Sequence, residues 1–288
     1  MSTLIAPPSL NNTLGAVFIG NILAAILYGV TSLQTYIYYR CNQDGKILKG
    51  VIFVLWCLDG LHLALITDAV YVYVVTDFGN YTALETVEWG LAVTVLLCVI
   101  SDFIIRSIFA YRIWRLSSFK FNWILILTMS SFSFVPIPAC IVLVVGCVLD
   151  HSLIGVSRFS WAIYTLAAGG FTADIILASA LCIMLSKQRT GFKRTDSVVH
   201  TLMLYGISTG ALTTFFEGAV IVTYTVWRND DVYLAFYLMV PKLLLNALLA
   251  SLNARKNLRQ RGNIVSIPLS PIPGTDRSID SGGEVNII

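Results

Sequence analysis

The chain has 288 residues and a formal net charge of +3; hydrophobic residues make up 57% of it and charged residues 12%. A soluble globular domain carries about a quarter charged residues, so this composition and a mean hydropathy of +0.78 exclude a soluble protein. They predict an integral membrane protein whose partner is the lipid bilayer, with no sign of nucleic-acid binding.

Seven apolar segments follow one another along the chain. A helix needs about 20 mostly apolar residues to cross the hydrocarbon layer, and none of the segments alternates in polarity as a barrel strand does. We therefore predict an all-α polytopic bundle of seven transmembrane helices, with the first span directing insertion in place of a cleaved signal peptide. The predicted spans are 14–39, 50–75, 88–112, 122–149, 159–186, 198–226 and 232–253.

The basic residues predict the orientation of this bundle. Lys and Arg are enriched on cytoplasmic flanks. They are frequent after the first, third, fifth and seventh spans, whereas the other side has only Arg158 and Arg228. This asymmetry predicts an N-terminus outside and a C-terminus in the cytoplasm. The predicted regions are a short outside N-terminus (1–13), the transmembrane domain (14–253) and a basic juxtamembrane segment (254–262).

Two further features agree with this orientation. N-glycosylation sequons begin at Asn11 and Asn80, both on the predicted outer side, which favours the plasma membrane or another membrane of the secretory pathway. Residues 263–288 are rich in Ser, Pro, Gly and Asp and have no apolar face, which predicts a disordered cytoplasmic tail.

The cysteines and histidines predict neither a disulfide framework nor a metal site. Of the six cysteines, only Cys147 approaches the predicted outer face, and one cysteine cannot close a bridge within the chain. No CxxC and no other metal-ligand spacing occurs. We expect no metal and no cofactor.

Several stretches resemble a known family. They are LYGVTSLQTYIYY (27–39), LWCLDGLHLALIT (55–67), FGN (78–80), YRIWRLS (111–117), RTGFKRTDS (189–197) and PKLLLNALLASLNARKNLR (241–259). In these stretches the chain is similar to a family of unknown function among seven-span proteins of mushroom-forming (basidiomycete) fungi. The resemblance implies seven helices and a membrane location, and it implies no activity, ligand or partner.

Polar and ionisable residues inside the predicted spans are the candidates for a functional site. Such residues are costly in the bilayer and usually face the bundle interior. Asp102 and Arg106 lie four apart and are expected to pair, while Asp68 should face away from Asp59 because the two are nine residues apart. The candidates are Asp59, His62, Asp102, Arg106, Asp174, Glu217, Lys242 and Asn246.

Lys242 is expected to pair with Asp59. Both residues lie at a similar depth from the inner ends of their helices, and Asn246, one turn from Lys242, is expected to hydrogen-bond the same carboxylate. Asp102 and Asp174 are the rival partners. Because carboxylates outnumber cations within the spans, we expect some acids to be protonated, hydrated or matched by a bound cation.

Two features of the predicted helix packing each have two interpretations. Gly206 and Gly210 form a GxxxG face, for which packing within the bundle is favoured over dimerisation. Pro136 and Pro138 predict a kink in the fourth span, and a bent helix is favoured over a pocket.

The predicted inner surface is basic. In one interpretation these residues only obey the inside rule, and in the other they bind an unidentified cytoplasmic partner; the first is favoured. The residues are Arg112, Arg115, Arg189, Lys193, Arg194, Arg255, Lys256 and Arg259.

Three function classes compete. A receptor-like sensor is favoured by seven helices, an outside N-terminus, a polar core and basic inner loops. The alternative is a proton or cation transporter that uses the intramembrane acids, although no internal repeat is present. The least favoured alternative is a retinal protein with a Schiff base on Lys242. No nucleophile–base pair or metal motif occurs, so we do not expect an enzyme.

Overall fold

The computed structural model describes residues 12–80, 86, 88–116, 128, 131–150, 158–187, 193–227 and 230–263. Its described elements are all helices, as the hydropathy pattern predicts. They are α1 (Leu14–Cys41), α2 (Lys46–Tyr71), α3 (Trp89–Leu116), α4 (Pro136–Asp150), α5 (Ser160–Lys187), α6 (Lys193–Val226), α7 (Val232–Tyr237) and α8 (Val240–Asn263).

Six stretches among the described residues are long and apolar enough to cross a membrane. A further apolar stretch, Gly210–Val226, is shorter and belongs to α6. These helices indicate an integral membrane protein embedded in the lipid bilayer. The six stretches are Leu14–Cys41, Lys46–Thr76, Trp89–Arg112, Ser131–Leu149, Ser160–Ile183 and Val232–Ala254.

The ends of several helices differ from the predicted bounds. α2 continues into a π-helical turn, Val72–Thr76, and Gly79 lies in the turn that follows with a φ of 82°, a conformation that favours glycine. α8 continues through the predicted juxtamembrane segment to Asn263. The predicted N-terminal region before Asn12 and the predicted tail beyond Asn263 lie outside the described residues, as do most residues of 122–130.

The predicted seventh span is broken in its N-terminal third. α7 ends at Tyr237, and α8 begins at Val240, with Pro241 as its second residue. Proline is tolerated in the first turn of a helix because its missing N–H has no partner there in any case. The break therefore places Lys242 in the first turn of α8.

The helices form a closed ring. Helices adjacent in sequence pack against each other from α1 to α6, α6 packs against α7 and α8, and α1 closes the ring against α7 and α8. α3 also contacts α5 and α8, and α2 contacts α8. These contacts bring residues of α2, α3, α5, α6 and α8 toward a common interior.

Glycines allow close contacts between helices in the ring, and Gly20 and Gly210 are two examples. A Cβ on Gly20 would lie 2.7 Å from the Ala235 Cα, and a Cβ on Gly210 would lie 2.6 Å from the Ala178 Cβ. Gly210 therefore packs α6 against α5, which is the packing within the bundle that the GxxxG pattern predicts. The surroundings of Gly206 lie outside the described part of the chain.

Proline marks a helix start in the predicted fourth span. A turn at Val135 separates helical residues 131–134 from α4, which begins at Pro136. The Val135 N–H still donates to the Ser131 carbonyl at 3.2 Å, so this helical hydrogen bond is kept across the turn.

Two apolar layers, the larger two of three buried apolar clusters among the described residues, each join several helices. One layer joins α1, α2, α3, α5 and α8 and includes Tyr38, Leu55 and Leu248. The other joins α3, α4, α5 and α6 and includes Leu143 and Tyr224. The helices that these layers join carry the buried charged residues Asp59, Arg106, Asp174, Glu217 and Lys242.

Candidate functional site

Lys242 and Asp59 form a buried ion pair. The Lys242 side chain is 0% exposed, and its Nζ lies 2.7 Å from the Asp59 Oδ1. Nζ also donates to the Asp59 backbone carbonyl at 3.2 Å. The predicted contact between the second and last spans is therefore present.

The aromatic ring of Tyr28 completes the surroundings of this ion pair. The Lys242 Nζ lies 5.7 Å from the ring centroid, a distance at which the ring face attracts a cation. Gly60 leaves room for this tyrosine, because a Cβ there would lie 2.8 Å from the Tyr28 hydroxyl oxygen. The Asp59 Oδ2 has no hydrogen-bond partner among the described residues.

The predicted bond from Asn246 to Asp59 is wrong. The Asn246 Nδ2 donates instead to the Leu27 carbonyl on α1 at 3.2 Å. Seven residues later, the Asn253 Nδ2 donates to the Gln34 carbonyl at 3.0 Å. α8 lies along α1, so its asparagines meet the backbone of α1 before they can reach the carboxylate on α2. The seven-residue spacing of the two asparagines places them on one face of α8, and it was a sequence signal for this contact.

His62 faces the same interior as Asp59. Both side chains are buried, as their spacing on α2 predicts, and Asp68 is exposed. The His62 Nε2 lies 3.0 Å from the Cys98 Sγ on α3. Sequence reasoning did not select Cys98, because a cysteine inside an apolar span gives no signal of its position in the bundle.

Arg106 is the centre of a second buried cluster. One of its terminal nitrogens lies 3.0 Å from the Asp174 Oδ1 on α5 and 3.2 Å from the Glu217 Oε1 on α6. Its Nε also donates to the Asp174 Oδ1 at 3.1 Å. The Arg106 side chain thus joins three helices.

The predicted pair of Asp102 and Arg106 is the loosest contact of this cluster. The Asp102 Oδ2 lies 4.0 Å from the nearest Arg106 nitrogen, which is too long for a hydrogen bond. The guanidinium is a planar fork with five donors, and it points across the bundle toward acids on other helices. Spacing within one helix could not predict these partners.

Gly170 makes room for the carboxylate of Glu217. A Cβ at this position of α5 would collide with the Glu217 Oε1. Because glycine has no side chain, the carboxylate can reach Arg106 across the α5–α6 contact. Gly170 is therefore part of the site, although sequence reasoning did not select it.

Two small cavities adjoin the Arg106 cluster. The Tyr237 cavity has a volume of about 30 Å³ and is lined by Tyr237, Asp102, Arg106 and Glu217, among others. The Asp174 cavity has a volume of about 20 Å³, and Asp174 lines it. Asp102 Oδ1, Asp174 Oδ2 and Glu217 Oε2 are buried without a hydrogen-bond partner among the described residues.

The Arg106 cluster carries an excess of acids. Asp102, Asp174 and Glu217 surround one guanidinium, so two negative charges are uncompensated when all four groups are ionised. Within the described chain, no three His, Cys, Asp or Glu side chains are arranged to hold a metal ion.

A larger concavity is separate from both ion clusters. It lies between α5 and α6, has a volume of about 1100 Å³ and is lined by apolar and small residues such as Phe171, Ile175 and Phe215. No charged residue lines it. Lys242 lines neither this groove nor the two cavities beside Arg106.

Of the eight residues of the predicted basic surface, Arg112 is the one whose side chain the structure describes. The Arg112 guanidinium donates to the Ser251 Oγ at 2.9 Å, which joins α3 to α8. Arg189 lies outside the described residues. The side chains of the remaining predicted members also lie outside them, namely Arg115, Lys193, Arg194, Arg255, Lys256 and Arg259.

Of the two predicted glycosylation sites, Asn80 is described. It is exposed, and its N–H donates to the Asp77 carbonyl at 2.9 Å. Asn11 lies outside the described residues.

Comparison with known proteins identifies one related family. Residues 170–257 match a family of unknown function (DUF6534), and this segment includes Asp174, Glu217, Lys242 and Asn246 of the candidate site. No curated protein matches the chain, and no solved structure matches it. The expected similarity to an uncharacterised family is confirmed over this segment, whereas a fungal origin stays a prediction.

Proposed function

We propose that the chain is a seven-helix membrane protein that works as a receptor-like sensor, with its N-terminus outside and its C-terminus in the cytoplasm. The six long apolar stretches support six crossings. α6 has 34 residues, and at about 1.5 Å per residue it is longer than the hydrocarbon layer of about 30 Å. The asymmetry of the basic residues supports the orientation, in the plasma membrane or another secretory-pathway membrane.

The observation that carries the sensor proposal is the junction of α3, α5 and α6 at Arg106. Removing one partner of a buried ion pair leaves an uncompensated charge. A helix movement that separates Arg106 from one acid therefore has to rearrange its contacts with the other acids as well. A buried junction with discrete arrangements is the kind of element that converts a signal on one side into a helix movement on the other. The Lys242–Asp59 pair supplies a second junction, between α8 and α2.

The size of the cavities beside the buried charges argues against a carrier that binds an organic substrate there. A site for a small organic molecule has a volume of about 300–1000 Å³. The Tyr237 and Asp174 cavities are about 30 and 20 Å³, so neither accommodates such a substrate beside the buried charges. We propose that the chain is not an enzyme, since its sequence has no nucleophile–base pair or metal motif.

Proximity labelling in the native cell tests the sensor proposal. A labelling enzyme fused to the C-terminus would record cytoplasmic neighbours of the wild-type protein and of Glu217→Gln, which keeps the shape of Glu217 and removes its charge. We expect the labelled set to change in Glu217→Gln and to stay unchanged in Asp68→Asn, whose carboxylate is exposed on α2. Identical sets in all three proteins would contradict the proposal.

A proton or cation transporter is the second candidate. The excess of carboxylates around Arg106 favours it, because such groups bind and release protons in pumps and transporters. Vesicles that contain the purified protein and a pH-sensitive dye provide the test. Proton flux in the wild-type protein that is lost in Glu217→Gln would favour transport over sensing. No observation favours a retinal protein.

A further inference from the structure

We propose that the two cavities beside Arg106 are water sites, and that the Asp102–Glu217 pair binds an exchangeable proton through the water in the Tyr237 cavity. A buried water needs about 10–15 Å³ and two to four polar partners. The Tyr237 and Asp174 cavities, at about 30 and 20 Å³, meet the size requirement. The inference holds whether the protein is a sensor or a transporter.

The polar partners are side chains whose hydrogen-bonding capacity is not used elsewhere. The Glu217 side chain is 7% exposed, and its Oε2 is unpartnered among the described residues. The Asp102 Oδ1 is unpartnered as well, and both residues line the Tyr237 cavity. One water molecule in this cavity can therefore contact two carboxylates. The unpartnered Asp174 Oδ2 gives the water in the Asp174 cavity an acceptor.

The position of Arg106 decides which acids share the proton. Asp174 accepts two hydrogen bonds from the guanidinium through one oxygen, from Nε at 3.1 Å and from a terminal nitrogen at 3.0 Å. Glu217 has one contact at 3.2 Å, and the nearest Asp102 oxygen is at 4.0 Å. Asp174 is therefore the counter-ion of Arg106, and Glu217 and Asp102 are the acids left with weaker compensation.

Proton binding reduces the unbalanced charge of the cluster. A proton from bulk water passes to the cavity water and then to one carboxylate of the pair, which becomes a carboxyl group; the net charge of the cluster changes from −2 to −1. The groups that take part or lie close by come from every packed helix that carries an ionisable side chain here. They are Asp59, His62, Cys98, Asp102, Arg106, Cys140, Asp174, Glu217, Tyr237 and Lys242.

Infrared difference spectroscopy of the full chain in lipid nanodiscs tests this inference. Acidification should produce the carbonyl-stretch band of a protonated carboxylic acid, which shifts in D₂O because the proton exchanges with cavity water. The band should be lost or reduced in Glu217→Gln or in Asp102→Asn and retained in the control Asp68→Asn. Absence of the band from the wild-type protein, or its full retention in both cluster variants, would overturn the proposal.

Further measurements keep the test decisive if Glu217→Gln or Asp102→Asn does not fold. In the wild-type protein, a band that does not shift in D₂O shows a dry site and overturns the water assignment. A band that is abolished by sodium at constant pH, but not by choline, shows a metal cation in place of the proton and also overturns it. Ala167→Leu, which fills the Tyr237 cavity, should slow exchange, and Ala247→Leu, at the Asp174 cavity, should not; equal rates would contradict the chosen cavity.

Discussion

Lys242 illustrates how a charge is kept within the bilayer. A lone Lys at the centre of a membrane helix costs about 2.5–3.5 kcal/mol on insertion scales. Here the ammonium group contacts the Asp59 carboxylate at 2.7 Å and lies over the Tyr28 ring. The charge is therefore compensated within the protein.

We predict that Lys242→Met alone destabilises the fold by about 3–5 kcal/mol, because it leaves the Asp59 carboxylate buried without a partner. The double variant Lys242→Met with Asp59→Asn should recover part of this loss, since no charge is then left unpaired. Unfolding in detergent, followed through a complete double-mutant cycle, measures the coupling. Additive effects of the two substitutions would show that the pair contributes no coupling energy.

The acids around Arg106 should differ in their contribution to stability. Asp174→Asn removes the charge that accepts two hydrogen bonds from the guanidinium, and we expect a loss of about 1.5–3 kcal/mol. Asp102→Asn should have a smaller effect, because its contact is 4.0 Å long. The same detergent unfolding measures both variants, and an equal or larger loss in Asp102→Asn would contradict this ranking.

Asp231, at the end of the bundle before α7, should make stability depend on pH. Burial, and then the neighbouring Asp230 carboxylate, raise the pKa of Asp231 from 3.8 to about 6. Because the folded state binds this proton more tightly than the unfolded state does, stability should increase as the pH falls from about 6 to about 4. Asp231→Asn should lack this part of the pH dependence. An unchanged profile in the variant would show that another group causes it.

At the scale of the helices, glycines determine how closely neighbouring helices can approach each other. Gly170→Ala should destabilise the protein by about 1–3 kcal/mol, because the new Cβ collides with the Glu217 carboxylate. Gly29→Ala on α1 is the matched control: nothing lies within 4 Å of its Cβ position, and alanine favours a helix over glycine by up to about 1 kcal/mol. Equal melting temperatures for the two variants would contradict the predicted contact.

The contact between α1 and α8 shows what sequence reasoning missed at this scale. The depths of Lys242 and Asp59, read from their helix ends, made them candidates for a pair, but Asp102 and Asp174 lie at similar depth, so depth alone did not choose among the three acids. The partner of Asn246 depends on the rotation of α8 and on its neighbour α1, and neither follows from depth. For the same reason the sequence identified Asp174 and Glu217 as candidates without assigning them to Arg106.

For the whole molecule, hydropathy predicted the class and most helix positions. Apolar runs of about 20 residues can satisfy their backbone in lipid only as helices, which is why α1, α2, α3 and α5 lie close to the predicted spans. The break between α7 and α8 was not predicted, although Pro241 was its signal, since proline is also tolerated within membrane helices. The ring closure between α1 and α8 depends on tertiary contacts: the spacing of Asn246 and Asn253 marks one face of α8, but it does not identify α1 as the helix that this face meets.

Seven crossings with the N-terminus outside are the condition on which the sensor proposal depends. An odd number of crossings places the two termini on opposite sides of the membrane, whereas six crossings place them on the same side. Epitope tags at both ends, probed by protease in sealed vesicles of known orientation, distinguish the two arrangements. We predict that the C-terminal tag is digested from the cytoplasmic face while the N-terminal tag is protected until the membrane is opened. Two tags with the same accessibility would contradict the seven-helix topology.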